Sequence, residues 1–283
     1  MTTQPLRGAQ MFRAALDRTA RLVIKIGSNQ LVDPANGLPR ANIFESLAAD
    51  IAALRQRGAK CVLVTSGAVA FGRHRLGLPM CRALALDEKQ AAAAVGQLLL
   101  AEAWARAFSQ HDILTGQALL CPEDTEHPVR LRNASNTFER LFQLGVLPLV
   151  NENDTVATEE LRYGDNDCLA ARLTSLVRAE GLILLSDIDG LYTKDPSVSP
   201  DASPIEHVPF SALAGLDCGG PPRAGGPGTG GMASKLDAAR IAVASGCWAV
   251  IARASDRPLG APRQTMRLTF FAPDAAIANA GRI

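Results

Sequence analysis

The densest group of residues that could do chemistry is NENDTVATEELRYGDND, residues 151–167. It holds six carboxylates and three asparagines, and it directly follows the apolar run LGVLPLV. Asn and Asp are interleaved at both of its ends. A solvated acidic loop would tolerate this composition. Oxygen acceptors and amide groups at the end of a buried strand also suit a cationic group on a small substrate, and they can position lysines or Mg²⁺.

Two lysines from distant parts of the chain are candidates to meet such a cluster. Lys25 lies near the end of the apolar segment VIKIGSN. Its ammonium group either joins the backbone amides of Gly27 and Ser28 at an anion or reaches the surface of an edge strand. Lys235 follows the glycines of GPGTGGMASKL. That segment satisfies neither a Walker A loop nor a dinucleotide fingerprint, but glycines before a helix start suit a nucleotide phosphate. The alternative is a flexible loop with a surface lysine.

Two further segments place small polar residues directly after expected strands. Ser66 and Gly67 open SGAVAFG, where backbone amides and the hydroxyl can bind a carboxylate or phosphate. Helix capping alone explains the serine equally well. The aspartates of SDIDGLYTKDP, residues 186–196, suit Mg²⁺ held through waters or a contact to a nucleotide ribose or base. Ordinary turn chemistry accounts for Asp189 before Gly190.

Composition and charge exclude several classes of protein. The chain has 283 residues, of which 47% are hydrophobic, and a formal net charge of +1. We therefore expect a globular protein with no general electrostatic role on nucleic acid or an anionic membrane. The six cysteines form no CxxC pair, and the four histidines match no HExxH pattern. Without a signal-peptide core or an apolar run of membrane-spanning length, we expect a cytoplasmic protein with reduced thiols.

Hydrophobic periodicity predicts strands that alternate with helices. We expect strands at 21–26, 60–65, 112–120, 146–150, 182–186 and 247–252. We expect helices at 41–58, after Ser66, and at 87–109, 133–144, 167–179 and 233–246. This order indicates an α/β fold with a mostly parallel sheet, helices on both faces, and ligands beyond the carboxyl ends of the strands. Residues 1–20 are expected to form a mobile arm with a short helix around Met11 to Leu16, and 196–231 a loop insertion.

The candidate segments follow one another in a recognisable order: VIKIGSN, VTSGAVAFGRHRLG, QAAAAVGQ, VNENDTVAT, YGDNDCLAA, LLSDIDGLYTKDP and GTGGMASKLDAA. In this order they resemble the glutamate 5-kinases of the amino acid kinase superfamily, over roughly residues 20–252. The resemblance implies a three-layer α/β/α sandwich with a mostly parallel central sheet. It also implies phosphoryl transfer from Mg·ATP to the side-chain carboxylate of L-glutamate, the first step of proline biosynthesis. A homo-oligomer and feedback inhibition by proline are expected for the same reason.

The resemblance implies a role for each candidate residue. Lys25 and Lys235 neutralise phosphate charge during the transfer, and Asp167 orients them. Glutamate is bound by Ser66, Asp154 and Asn166, with Asn151 and Gly67 nearby. The nucleotide is contacted by Lys25, Gly27, Ser186, Asp187, Thr229, Gly230, Gly231, Met232, Ala233, Ser234 and Lys235. No side chain is expected to bind metal directly, because Mg²⁺ would be held through the ATP phosphates.

Elementary electrostatics agrees with that reaction. A glutamate side chain has an ordinary pKa of about 4.3, so the nucleophile is ionised at neutral pH and needs no general base. The difficulty is repulsion, because two like unit charges 4 Å apart repel by about 4 kcal/mol at an effective dielectric near 20. Two lysines and Mg²⁺ counter it, since phosphoryl transfer depends mainly on positioning and charge stabilisation.

The chain departs from the family pattern in several places. Asn29 stands where a small hydroxyl residue is common, and Ser186 stands where threonine is usual. Many members carry a C-terminal PUA domain, for which we expect no room after about residue 253. The expected division is an arm at 1–20 and a kinase domain without a PUA domain at 21–283. Residues 253–283 match nothing that we can place.

Three other functions fit the pattern less well. Another amino acid kinase would act on acetylglutamate, aspartate, carbamate or UMP, whereas the NEND and GDND pair suits a free α-ammonium group. A non-catalytic nucleotide-binding regulator has no need for both lysines and the acidic cluster. A dehydrogenase that binds NAD would carry a glycine fingerprint after its first strand, which this sequence lacks.

Overall fold

The structure, a computed structural model, describes residues 7–33, 37–79, 82–156, 166–213, 215–216, 231–260 and 265–274. The strands are β1 (Arg21–Ile26), β2 (Lys60–Thr65), β3 (Thr115–Leu120), β4 (Leu147–Glu152), β5 (Gly181–Ser186), β6 (Leu191–Tyr192), β7 (Pro204–Ile205), β8 (His207–Pro209), β9 (Trp248–Arg253) and β10 (Leu268–Ala272). The helices are α1 (Arg7–Leu16), α2 (Ser28–Leu31), α3 (Ala41–Gln56), α4 (Ala68–Arg75), α5 (Leu86–Ser109), α6 (Pro122–Glu126), α7 (Pro128–Gln143), α8 (Asn166–Leu176), α9 (Phe210–Leu213) and α10 (Met232–Ala244), with a 3₁₀ helix at Ala254–Asp256.

Among the described residues, eight strands form one sheet in the order β3-β4-β2-β1-β5-β9-β10-β8. The strands from β3 to β9 in this order run parallel to their neighbours. β10 is antiparallel to β9, and β6 pairs with β7 in a separate ribbon. The predicted α/β fold with a mostly parallel central sheet is confirmed. This order places the carboxyl ends of β4, β2, β1 and β5 side by side.

Side chains of the central strands alternate between two apolar cores, as the period of a strand requires. Leu22, Ile24 and Ile26 of β1 pack with α1, α3, α4 and α5, on what we call the first face of the sheet. Val23 packs with α7, α8 and α10, on the second face. Lys25 is two residues beyond Val23, so the alternation directs its side chain to the second face, where α8 lies.

A close crossing of two helices on the first face holds the start of α4 in place. Gly72 of α4 and Gly96 of α5 lie at the crossing, where a Cβ on either would overlap a backbone carbonyl of the facing helix, Ala92 or Ala68. Only residues without a side chain allow this approach. The crossing therefore fixes α4, and the turn before it, against α5.

The two ends of the chain differ most from the expectation. The helix predicted around Met11 to Leu16 begins at Arg7, so part of the expected mobile arm is a packed helix. Phe12 is fully buried, and its ring centroid lies 5.8 Å from that of Trp248. In the tail that the sequence left unplaced, β10 joins the sheet and buries Phe271 completely. The division into an arm and a kinase domain stays a prediction.

The expected loop insertion at 196–231 is partly regular where the structure describes it. β7, β8 and α9 lie within it, and β8 pairs with β10 at the margin of the sheet. β8 pairs with a strand far along the chain, and local sequence patterns do not reveal such a contact. Residues 214 and 217–230 of this stretch lie outside the described residues.

Candidate functional site

Four neighbouring strands end where the predicted site residues begin. β1 ends at Ile26, β2 at Thr65, β4 at Glu152 and β5 at Ser186. These strands are parallel to their neighbours, so the residues that follow them lie at one end of the sheet. In a parallel α/β sheet this is the end where ligands bind.

Asp167 bridges both predicted lysines. Its Oδ1 lies 2.6 Å from Lys25 Nζ, and its Oδ2 lies 2.9 Å from Lys235 Nζ. The Asp167 side chain is fully buried, while the lysine side chains are 6% and 10% exposed. We call Lys25, Asp167 and Lys235 the charged cluster. The two lysines are 210 positions apart in the chain but share one carboxylate in the fold.

Each member of the charged cluster comes from a different element of the second face. Lys25 is the fifth residue of β1, Asp167 the second of α8 and Lys235 the fourth of α10. α8 and α10 pack against each other and against β1 and β5 through one apolar core. Because both helices present their first turns at the carboxyl end of β1, their polar residues meet there.

Burial and charge act in opposite directions on Asp167. Burial raises the pKa of a carboxyl group, but the ammonium groups of Lys25 and Lys235 outweigh burial and hold the pKa of Asp167 below its ordinary value. The carboxylate is therefore ionised at neutral pH. With both ammonium groups protonated, the charged cluster has a net charge of +1, which an anion at its exposed side would balance. A phosphate group of a nucleotide fits this requirement.

A second network, formed by neutral side chains, begins at the neighbouring residue Asn166. Its Nδ2 donates hydrogen bonds to Ser66 Oγ at 2.8 Å and to Asn151 Oδ1 at 2.7 Å. Asn151 Nδ2 in turn donates to Gln97 Oε1 at 2.7 Å. We call Gln97, Asn151, Asn166 and Ser66 the amide chain. It passes from α5 on the first face, across the ends of β4 and β2, to α8 on the second.

The backbone at Gly67 places Ser66 in this network. Gly67 has φ 115°, in the left-handed region that favours glycine, and it is the N-cap of α4. The chain turns sharply between β2 and α4 at this residue. Ser66 is thereby held at the end of β2 within reach of Asn166.

The start of α10, which follows the glycine-rich segment in the sequence, lies at the site. Gly231 is the N-cap of this helix. The first turn comprises Met232, Ala233, Ser234 and Lys235. Ser234 Oγ donates to Asp167 Oδ2 at 3.3 Å, so Ser234 and Lys235 of this turn both contact Asp167. The predicted nucleotide contacts that lie outside the described residues are Thr229 and Gly230.

The other predicted residues lie at the ends of their strands. Ser186 Oγ donates to Asp187 Oδ1 at 3.0 Å, and the Asp187 carbonyl accepts a hydrogen bond from Arg253 Nε at 3.2 Å. Gly27 precedes α2, where an added Cβ would lie 3.7 Å from Lys25 Nζ. Asp154 is half-buried in the turn after β4. The structure thus brings Gly27 close to the charged cluster and pairs Ser186 with Asp187.

Sequence reasoning missed two residues that contact the predicted ones. Arg253 ends β9 and holds the backbone of Asp187. Gln97 lies in the middle of α5 and accepts from Asn151. Gln97 does end the segment QAAAAVGQ, which was part of the resemblance, but a search for polar residues after strands passes over a residue inside a helix.

The described residues lack two features, a group of metal-ligating side chains and a membrane-spanning helix. No group of three or more His, Cys, Asp or Glu among them could hold a metal ion. No helix in the same part of the chain has both the length and the apolar character needed to cross a membrane.

Comparison with known proteins identifies relatives of high similarity. The model of the amino acid kinase family matches residues 20–253. The chain is 48% identical to a glutamate 5-kinase of Rhizobium rhizogenes, over 92% of this chain and 67% of that protein. It is 49% identical to a glutamate 5-kinase of Caulobacter vibrioides, over 95% of this chain and 71% of that protein. The chain thus spans about two thirds of the length of these curated relatives.

Solved structures share the fold at low sequence identity. A carbamate kinase from Giardia lamblia bound to AMP-PNP superposes with a TM-score of 0.62 at 17% identity, covering 91% of this chain and 100% of the other. An isopentenyl phosphate kinase from T. acidophilum superposes with a TM-score of 0.60 at 12% identity, covering 89% and 99%. These likenesses show the fold alone.

Proposed function

Because the chain belongs to the amino acid kinase family, we propose that the charged cluster and the amide chain serve the two halves of one phosphoryl transfer. The charged cluster lies against the phosphate that is transferred, and the amide chain binds the amino acid that receives it. One observation carries this proposal. A single buried carboxylate holds two nearly buried ammonium groups, one on each oxygen, at the ligand-binding end of a parallel sheet.

The reaction is the ATP-dependent phosphorylation of the L-glutamate side-chain carboxylate. Its product is L-glutamyl 5-phosphate, and it is the first step of proline biosynthesis. Identity of 48% to curated glutamate 5-kinases, over more than nine tenths of the chain, supports this activity. The family match supports ATP as the phosphoryl donor.

The charged cluster answers the main physical difficulty of this reaction. An ionised carboxylate must approach a phosphate that is also negative, and the two repel each other. Lys25 and Lys235 place positive charge at that point, and Asp167 keeps both ammonium groups in position. Because these charges are fixed before the substrates arrive, they stabilise the charge of the transition state without reorganising. Proton transfer by a general base is not required, since the attacking carboxylate is already ionised.

The amide chain and its neighbours supply the contacts for the amino acid. Ser66 and Asn166 offer a hydroxyl and an amide at the end of the sheet, and Asn151 holds Asn166. Asp154 supplies a carboxylate for the α-ammonium group. Gly67 provides a backbone amide at the start of α4, where anions are favoured. These groups suit a free amino acid, in which a positive ammonium group and a negative carboxylate group are both bonded to the α-carbon.

The nucleotide is proposed to lie along the starts of α2 and α10 and the end of β5. Its contacts are Lys25, Gly27, Ser186, Asp187, Gly231, Met232, Ala233, Ser234 and Lys235, together with Thr229 and Gly230 of the segment before α10. The donor set fits a polyphosphate, because it combines two lysines with the backbone amides at the start of α10, after its glycine N-cap. Mg²⁺ bound through the phosphates would neutralise further charge.

Three properties stay predictions from the family resemblance and the sequence. They are a homo-oligomeric state, feedback inhibition by proline and a cytoplasmic location. The first is tested by sedimentation or light scattering, and the second by adding proline to the activity assay below.

The activity is tested by measuring ADP release from Mg·ATP with a panel of acceptors. The panel is L-glutamate, N-acetylglutamate, L-aspartate, carbamate and UMP, with hydroxylamine present to trap an acyl phosphate. We expect turnover with glutamate and recovery of the hydroxamate. A Lys235→Met preparation, purified in the same way, reports any contaminating kinase.

The other outcomes each decide against part of the proposal. Turnover that favours another acceptor would reject glutamate as the substrate. Silence with every acceptor, while ATP still binds, would reject the kinase activity and favour a nucleotide-binding regulator.

A further inference from the structure

The amide chain extends beyond the residues assigned to glutamate, to Gln97 of α5. Gln97 Oε1 accepts a hydrogen bond from Asn151 Nδ2 at 2.7 Å. It lies on the opposite face of the sheet from α8, so no direct contact to the charged cluster explains its presence. Its influence on the substrate must pass through Asn151 and Asn166.

The direction of the hydrogen bonds in the amide chain is fixed by one backbone group. The backbone N–H of Glu152 can only donate, and it donates to Asn151 Oδ1 at 2.9 Å. Asn151 therefore presents its oxygen to Glu152 and Asn166, and its Nδ2 must point the other way. Gln97 Oε1 is the acceptor that receives this Nδ2. Without an acceptor there, the buried amide of Asn151 would lose a partner, which destabilises this orientation of the amide.

This direction determines what the far end of the chain can offer a ligand. Asn166 uses its amide hydrogens on Asn151 Oδ1 and Ser66 Oγ. The oxygen of Ser66 is thus an acceptor for Asn166, which leaves the hydroxyl hydrogen to donate to a carboxylate. Among the described residues, the donor to Asn166 Oδ1 is the Glu152 N–H, in a long contact of 3.3 Å, and this oxygen suits an ammonium group. Reversing the amides would place acceptors where the carboxylate binds.

Helix α5 supports the same site at a second point, which makes it a rigid base for Gln97. Trp104 lies seven residues beyond Gln97, two turns along the same side of the helix. Its Nε1 donates to Thr65 Oγ1 at 2.9 Å, in a fully buried contact. Thr65 is the residue before Ser66. The crossing of α4 and α5 at Gly72 and Gly96 fixes this arrangement further.

We propose that Gln97 is a positioning residue for the amino acid substrate, because its oxygen holds Asn151 Nδ2 and so keeps Asn151 Oδ1 directed at Asn166, in the amide chain that ends at Ser66 and Asn166. This inference rests on the proposed function, since the amino acid is assigned to that end of the chain. Gln97 would act on the substrate through Asn151 and Asn166, so we expect its effect on the binding of glutamate.

The test compares Gln97→Met with Gln97→Glu. Methionine keeps the length of the side chain and removes the acceptor, so the KM for L-glutamate should rise about five- to tenfold. The KM for ATP should change less than twofold. The Gln97→Glu side chain restores an oxygen acceptor for Asn151 Nδ2, so the KM for L-glutamate in this variant should return most of the way to that of the unmodified protein. Gln110→Met, at the exposed C-cap of the same helix, is the matched control and should behave as the unmodified protein.

A measurement without substrate separates this inference from the proposed function. The side-chain NH₂ resonances of Asn151 and Asn166 should shift in Gln97→Met and return in Gln97→Glu. If these resonances do not shift in Gln97→Met, the inference is overturned, whichever substrate the protein phosphorylates. Equal rises in the KM for glutamate and for ATP, together with a lowered melting temperature, would assign Gln97 a structural role only. If the unmodified protein fails to phosphorylate glutamate, the proposed function is rejected, and the resonances still decide whether Gln97 directs the amides.

Discussion

Asn166 and Asp167 are neighbours in the first turn of α8, yet they belong to networks held together by different forces. Asp167 joins two ammonium groups through charge. Asn166 joins a hydroxyl and an amide through hydrogen bonds whose donors and acceptors are fixed. Adjacent helix positions lie about 100° apart around the axis, so one residue faces α10 and the other faces β2 and β4. A single helix start thereby supplies both halves of the site.

The difference teaches what each half can control. Attraction between charges depends on distance and burial and little on direction. The charged cluster can therefore neutralise a phosphate while the geometry of the phosphate changes during transfer. Hydrogen bonds between amides depend on which atom donates, so the amide chain distinguishes one ligand group from another. We expect lesions in the first network to lower kcat and lesions in the second to raise the KM for the amino acid.

The largest effect is expected from removing one lysine of the charged cluster. Lys25→Met or Lys235→Met keeps the apolar part of the side chain and loses a fixed positive charge. Turnover should fall by at least about 100-fold, the scale of losing one preorganised charge contact. Lys60→Met is the matched control, because Lys60 lies at the amino end of β2 and pairs with Glu139 on the surface. Near-normal kcat in either cluster variant would contradict the assigned role.

The next effect is expected from Asp167→Asn, which keeps the shape and removes the negative charge. Both ammonium groups lose their common partner, and kcat should fall roughly tenfold or more. Breaking a buried ion pair by removing one partner costs about 3–5 kcal/mol, so the free energy of unfolding should fall as well. Asp201→Asn is the control, since Asp201 is 67% exposed in its pair with Lys194.

The stability difference caused by Asp167→Asn should depend on pH. The ammonium groups hold the pKa of Asp167 below its ordinary value despite burial. For a carboxyl group with a lowered pKa in the folded state, the stabilisation is present above the unfolded pKa of about 3.9 and is lost as pH falls through the folded value. The gap in melting temperature between the two proteins should be wide at pH 7 and narrow below about pH 4. A gap that stays constant down to pH 3 would show that charge does not stabilise the cluster.

A smaller effect, on binding alone, is expected from Asn166→Asp. The carboxylate has the shape of the amide but no hydrogens, so it faces Asn151 Oδ1 with an acceptor where a donor stood. The KM for glutamate should rise about tenfold, with a smaller change in kcat than in the lysine variants. Asn133→Asp, on the exposed side of α7, is the matched control. If kcat fell as far as expected for the lysine variants and the KM for glutamate stayed unchanged, the two networks would not have separate roles.

The residues that sequence reasoning found are those whose position follows from a single element. Lys25, Ser66 and Asn151 lie at or just beyond the end of an apolar strand, and the rule for parallel sheets places all of them at one end. Asp167 was found because an acidic run precedes a helix start. For these residues, local pattern and sheet topology together are sufficient.

The residues that sequence reasoning missed depend on packing between distant elements. Gln97 reaches Asn151 because α4 and α5 cross closely at Gly72 and Gly96, which no periodicity reveals. α1 is held by the contact of Phe12 with Trp248, more than 200 positions away. β10 is a short strand that pairs with β9 on one side and with β8 on the other.

The smallest effect is expected from Ser66→Ala, which removes one hydroxyl at the end of the amide chain. Asn166 Nδ2 loses an acceptor, and the proposed donor to a carboxylate of the substrate is gone. One neutral hydrogen bond contributes about 0.5–1.5 kcal/mol, so the KM for glutamate should rise about two- to tenfold while kcat and the KM for ATP stay nearly unchanged. Ser175→Ala, on the exposed side of α8, is the control.

Ser66→Ala also distinguishes the two networks most directly, because Ser66 is bonded to Asn166 and Asn166 is next to Asp167 in the chain. Ser66 and Gln97 both belong to the amide chain, so their two changes disturb one chain of hydrogen bonds. The double variant of Ser66→Ala with Gln97→Met should therefore raise the KM for glutamate by less than the product of the single effects. In the double variant of Ser66→Ala with Asp167→Asn, the rise in the KM for glutamate from the first change and the fall in kcat from the second should combine independently, so that their effects on kcat/KM multiply. A strong coupling in the second pair would mean that the charged cluster and the amide chain respond as one unit.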